Sequence, residues 1–200
     1  ETYGSAKYIP IDEKHDLVGQ SPYAASKIAA DQLALSYHFS YNLPIKILKP
    51  FNTFGPRQSL RAIIPTIISQ ALYNDKITLG NTSPSRDFLF VEDTCRSFLE
   101  ISKSNKLFGE VINVGTKTEI SIEKLTKKIL KIMDLNLAIK KEQTRSRPKK
   151  SEVDRLCCDN KKIIKLTKWK PNYSLDQGLR KTIDWFRDFH NSNKKDIYHI

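Results

Sequence analysis

Tyr23 and Lys27 stand four residues apart, a spacing that puts both side chains on one face of a helix. An ammonium close to a phenol favours the phenolate by opposite-charge stabilisation. Such a tyrosine can take a proton from an alcohol while a nicotinamide takes the hydride. The spacing by itself is common, and a surface Tyr/Lys pair without chemistry is the bland alternative.

The histidines and cysteines offer no competing site. His15, His38, His190 and His199 lie far apart, none with a partner at ligand spacing, so no metal site is expected. The three cysteines, Cys95, Cys157 and Cys158, are odd in number and two are adjacent. That makes a poor disulfide framework, and reduced thiols in a cytoplasmic protein are expected.

The pair needs a helix, and the sequence supplies one. Ser21-Pro22 is a start signal, a hydroxyl N-cap followed by proline at the first helical position. The helix is expected to run to about Tyr41 and stop before Asn42-Leu43-Pro44. Ile45 to Lys49 reads as a strand ended by Pro50, and Ile63 to Tyr73 as a second helix. An extended segment, Arg86 to Val91, feeds a helix from about Glu92 to Ser102 with its acidic residues at the favoured end. Glu110 to Val114, closed by Gly115, has the apolar pattern of a buried parallel strand. Ser121 caps a helix whose Ile122, Leu125, Ile129, Ile132 and Met133 recur at three-to-four spacing. A strand over Leu137–Ile139, a basic loop over Arg145–Lys150 and a helix from Ser174 to about Phe189 complete an α/β chain.

Two hundred residues, 39% hydrophobic, can bury one good core or a Rossmann-like half with a small subdomain. No apolar run approaches the roughly 20 residues of a spanning helix. The net charge of +12 raises the possibility of a nucleic-acid partner. The lysines are scattered as pairs, however, with no basic helix or aromatic RNA-binding stretch, so a solvated Lys-rich surface is expected instead.

Beyond the pair, a series of motifs runs along the chain in order. Gln20-Ser21-Pro22-Tyr23-Ala24-Ala25-Ser26-Lys27 resembles the Ser-Pro-Tyr-x-x-Ser-Lys signature of extended short-chain dehydrogenases, the NAD-dependent epimerase/dehydratase family acting on nucleotide sugars. Glu1-Thr2-Tyr3-Gly4 resembles the end of that family's upstream Thr-x-Glu-x-Tyr-Gly strand. Lys49-Pro50-Phe51-Asn52-Thr53-Phe54-Gly55-Pro56-Arg57 is similar to its Arg-x-x-Asn-x-Tyr-Gly-Pro element, and Arg86-Asp87-Phe88 with Val91-x-Asp93 to its Arg-Asp-Trp/Phe-x-x-Val-x-Asp element. Ile112-Asn113-Val114-Gly115, Arg147-Pro148 and Trp169-Lys170-Pro171 before Ser174-Leu175-x-x-Gly178-Leu179 match further positions. The similarity covers essentially the whole chain.

The resemblance implies the later part of a Rossmann-like NAD(P)-binding fold with a small C-terminal α/β substrate subdomain. Residues 1–55 would belong to the dinucleotide-binding domain, and 56–200 mainly to the substrate subdomain, with about 86–115 returning to the first. Tyr23 would be the active-site base, Lys27 would tune it and hold the ribose of NAD, and the backbone at Pro50 would lie along the nicotinamide. Asn52, Leu79, Arg86, Asn113 and Arg147 would contact the substrate, the two arginines through their fork of donors. Arg147 in a basic loop could instead be merely solvated, and Asn113 a strand-end residue. Lys49 departs from the family's usual Arg, which leaves one charge contact open.

Glu1 is the discriminating position. By resemblance it holds the place where 4,6-dehydratases carry the carboxylate that removes the sugar C5 proton, which a C4 ketone acidifies. UDP-glucuronate decarboxylases share that acid, but their Tyr lies in a different setting. The combined motifs look closest to 4,6-dehydratases of the legionaminic-acid pathway, acting on UDP- or GDP-linked N-acetylglucosamine. A 4-epimerase is the main alternative, and a non-catalytic binding module on the same fold is the alternative of another class.

The chain opens without an initiator Met, a basic n-region or an apolar h-region, so it reads as the middle of a longer protein rather than a leader. The family's Gly-x-x-Gly-x-x-Gly phosphate turn would then lie upstream, and these residues alone would bind NAD poorly and be inactive. The Ala-rich Ser21–Tyr41 helix suits close helix packing, and the resemblance implies a homodimer there.

Overall fold

The computed structural model describes residues 1–142 and 152–192. Arg147 and the basic loop around it therefore lie outside the described residues.

Helix α1 spans Pro22–Tyr41. The Ser21 hydroxyl accepts the Ala24 N–H at 3.1 Å, and Asn42 ends the helix in the left-handed region at φ 55, as its cap sequence predicts. β1 (Ile47–Pro50) and β2 (Asn52–Phe54) follow, then α2 (Ile63–Tyr73) and β3 (Lys76–Leu79). β4 (Ser85–Arg86) and β5 (Phe88–Phe90) lead into α3 (Val91–Ser102) and β6 (Val111–Val114). β7 (Ile120–Ser121), α4 (Ile122–Met133), β8 (Ala138–Lys141), β9 (Arg155–Leu156), α5 (Lys161–Leu166) and α6 (Leu175–Ser192) complete the order. The six-residue α5 is not foreseen from the sequence, because it is too short to display a helical repeat.

Parallel pairing dominates. β1 pairs with β6, β2 with β5 and β3 with β8, all parallel, while the short β4 sits between antiparallel β7 and parallel β9. Between Pro50 and Asn52 the chain changes partner from β6 to β5, with the Phe51 N–H still bonding the Val114 carbonyl at 2.8 Å. This splaying of strands exposes the backbone on which the site is built.

The main core lies where α2, α4 and α6 cover β3 and β5, with Ile67, Ile77, Leu125, Ile129, Leu179 and Ile183 fully buried. Gly178 lets α6 reach this core: a Cβ there would stand 2.7 Å from the Phe54 ring and 2.8 Å from that of Phe90. A second cluster gathers Leu89, Ile101, Ile112, Val114, Ile163 and Trp169. Asp93 locks this cluster to the segment that leads into α6. Its buried carboxylate accepts the N–H groups of Asn172 and Tyr173 and pairs with Arg96, while its carbonyl accepts the Trp169 indole N–H at 2.9 Å. A third cluster seats the irregular first twenty residues on the strands through Tyr3, Ile11, Phe51, Leu156 and Cys158.

α1 behaves differently. Ala24 is its sole buried residue, while Leu33, Phe39 and Tyr41 are 61%, 75% and 69% exposed. Its hold on the sheet includes an ion pair, Asp31 to Lys49 on β1, at 3.0 Å between largely buried side chains. Lys49, standing where the family usually has arginine, thus makes a charge contact with α1.

Candidate active site

Two adjoining clefts open at the point where β1 gives way to β2. The larger, of about 1080 Å³, is lined by Glu1, Tyr23, Lys49, Pro50, Asn52 and Arg61 among others. The smaller, of about 420 Å³, carries Leu79, Arg86 and Glu152. Glu1, Asn52, Thr53, Arg61 and Ala62 line both.

Tyr23 stands on the first turn of α1 and is 60% exposed at the edge of the larger cleft. The Lys27 ammonium lies 5.7 Å from the Tyr23 ring centroid, and no carboxylate among the described residues holds it. Its donors are thus available to hydroxyl groups such as those of a ribose.

A second phenol, Tyr3, lines the same cleft, and the structure disqualifies it as a base. It is 3% exposed and gives its hydrogen to the Asn113 side-chain oxygen at 2.6 Å. Burial pushes its phenol far above the ordinary range, against the pull of that hydrogen bond.

Asn113, expected among substrate contacts, lines neither cleft. It is fully buried in β6, accepts from Tyr3, donates to the Ile11 carbonyl at 3.3 Å, and gives its backbone N–H to Glu13 at 2.8 Å. Those three bonds occupy its polar groups in fastening the N-terminal segment, and hence Glu1, to the sheet.

Asn52 does face both clefts, with one amide hydrogen donated to the Asp87 carbonyl at 3.3 Å. Arg86 is present but not free. It bonds the Ser85 carbonyl at 2.9 Å and pairs with Glu152 at 3.3 Å, both side chains being mostly buried. Glu152 had no motif to announce it. Asp87, next in the chain, anchors this segment: its buried carboxylate accepts from the Thr116 N–H and hydroxyl, the Lys117 N–H and the Cys158 N–H. Burial raises its pKa, and these four bonds oppose the rise.

Arg61 also escaped the sequence reading. Its loop is fixed by local bonds: the Gln58 side chain donates to the Thr53 carbonyl at 2.8 Å, and the Ala62 N–H bonds the Ser59 carbonyl at 2.9 Å. Ala62 provides no side-chain cap to α2, and Ala62, Ile63 and Ile64 all line the smaller cleft, so an open helix start borders it.

A Rossmann-like α/β scaffold of parallel strands, carrying Tyr-x-x-x-Lys on the helix beside its cleft, defines the short-chain dehydrogenase class. Residues 1–182 match the family model of GDP-mannose 4,6 dehydratase. The chain belongs to that family, within the NAD-dependent epimerases and dehydratases. It is 32% identical over 202 residues to human dTDP-D-glucose 4,6-dehydratase, covering 96% of this chain and 55% of that protein. Among solved structures it resembles dTDP-glucose 4,6-dehydratase of Bacillus anthracis in complex with NAD, with a TM-score of 0.84 and 27% identity over 95% of this chain and 60% of that one. UDP-glucuronic acid 4-epimerase of Bacillus cereus, in complex with UDP-glucuronic acid and NAD, gives 0.86 and 28% over 94% and 59%. The chain thus spans little more than half the length of the proteins it matches.

Proposed function

We propose that the protein acts as an NAD-dependent nucleotide-sugar 4,6-dehydratase on UDP- or GDP-linked N-acetylglucosamine. The observation that carries this reading is Glu1 and Tyr23 lining one cleft, a carboxylate and an available phenol on the same reaction space. The residues present fit the cofactor: an exposed phenol, an ammonium beside it that no carboxylate among the described residues pairs with, and the Pro50 backbone at the cleft wall. NAD, when bound, supplies hydride acceptance from C4 and hydride return at C6, so the cycle needs no external oxidant.

Tyr23 takes the C4 hydroxyl proton as the carbonyl forms, while the Lys27 ammonium one turn along the helix holds the ribose. Glu1 removes the C5 proton, which the neighbouring ketone has acidified, and water leaves across C5–C6. Asn52 contacts the diphosphate-bearing substrate through its amide, and Arg86 and Leu79 lie along its nucleoside half.

An epimerase needs no base at Glu1, which favours the dehydratase over the 4-epimerase that similarity also allows. Incubating the full-length protein, as its gene encodes it, with NAD and each of the two sugar nucleotides should yield a 4-keto-6-deoxy product. A 4-epimer in its place overturns the dehydratase reading.

Pairing of β1 with β6 and β2 with β5 supports grouping residues 1–55 with about 86–115 as the dinucleotide-binding unit, the remainder serving the substrate. The exposed apolar face of α1 supports a homodimer through that helix. Sedimentation of a Leu33→Lys/Tyr37→Lys double variant as a monomer, against a dimeric parent, tests this. Free cysteines accord with a cytoplasmic location.

A further inference from the structure

We infer that Arg61 is the cationic residue that binds the diphosphate in this site, beside the Asn52 amide; the motif resemblance gives Arg61 no role. The inference rests on the nucleotide-sugar reading above and deepens it. The larger cleft holds the reacting groups Tyr23 and Glu1, and the smaller holds Leu79, Arg86 and Glu152. A substrate with its sugar in the first and its nucleoside in the second must cross the wall they share. The middle of a nucleotide sugar is a diphosphate, which carries two negative charges. Arg61 lies on that shared wall.

The competing cations are already matched. Lys49 pairs with Asp31 at 3.0 Å, and Arg86 with Glu152 at 3.3 Å. Arg61 is exposed, and no carboxylate among the described residues pairs with it. Glu1 lies on the same wall, so an unmatched Arg61 also offsets repulsion between that carboxylate and the incoming anion. The Ser59 hydroxyl accepts the Arg61 N–H at 3.3 Å and the Thr66 hydroxyl bonds the Leu60 carbonyl at 2.7 Å, so the backbone that presents the guanidinium is held from both sides. A planar fork of donors on a fixed backbone suits two phosphate groups in a row.

The test is calorimetric titration of the full-length protein with UDP, GDP and dTDP at low salt, in wild-type, Arg61→Ala and Arg61→Lys forms. Arg61→Ala should bind the best of the three about fivefold or more weakly, with Arg61→Lys between it and wild type. Thermal unfolding of Arg61→Ala should match the parent, since the side chain is exposed. Should Arg61→Ala lose its cooperative transition, the same threshold is read on Arg61→Gln. A folded variant within fivefold of wild type overturns the assignment of Arg61 and leaves the nucleotide-sugar reading standing. A wild-type protein that binds none of the three overturns both.

Discussion

The Lys49 ammonium lies 3.0 Å from the Asp31 carboxylate, tying the strand that ends on Pro50 to the helix that carries Tyr23 and Lys27. Ala24 is the one residue that α1 fully buries, and this pair adds to the contacts that hold the base at the cleft. The same ammonium stands 5.1 Å from the centroid of the Tyr3 ring, which adds a cation–π contact.

Removing one partner leaves the other charge poorly solvated. Asp31→Ala should therefore cost about 3 kcal/mol in chemical denaturation. Lys49→Arg, which keeps the charge, should cost less than about 1 kcal/mol. Equal stability of Asp31→Ala and the parent would show that α1 is held by other means.

Tyr23→Phe removes the phenolic proton site from an exposed side chain. Turnover should fall by about 10²- to 10⁴-fold while the thermal midpoint stays put. Tyr3→Phe should show the opposite pattern, because that hydroxyl bonds buried Asn113: a loss of about 1–2 kcal/mol with the chemistry largely kept. Comparable kinetic damage from both would contradict the division of labour between the two phenols.

Asp87→Asn keeps the shape but turns one oxygen into a donor amid four donors, those of Thr116 (two), Lys117 and Cys158. About 2–4 kcal/mol of stability should be lost. A variant whose unfolding curve overlays the parent's rules this out.

The three cysteines should separate by reactivity. Burial, then the Asp87 charge, pushes the Cys157 thiol up to about 11, and burial drives Cys158 well above the usual thiol range. A raised thiol pKa means a protonated, unreactive sulfur at neutral pH. A chromogenic disulfide reagent at pH 7.5 should therefore modify Cys95, which is exposed, and reach the other two on denaturation. Rapid native modification of Cys157 or Cys158 would show that the 155–158 segment opens.

Local signals along the chain define the helices well. Ser21 and Ser121 cap as their hydroxyls predict, and α2 keeps the bounds that its apolar pattern implies. Asn113, by contrast, was read through its motif as a substrate contact, and the structure turns its polar groups inward. A motif records that an asparagine stands at the end of a buried strand but not which way its bonds point. Tyr3 and Ile11 take those bonds from more than a hundred residues away, and no local pattern carries such a pairing.

The sequence by itself determined the family, the helix that presents Tyr23 and Lys27, and the place of Glu1 ahead of them, because each depends on residue type at short spacing. Only the tertiary structure decided which groups remain free to act. Tyr3 is silenced by burial, Lys49 and Arg86 are matched by Asp31 and Glu152, and Arg61, between the two clefts, has no carboxylate partner among the described residues. Charge compensation depends on which side chains meet through space, and folding alone brings those partners together.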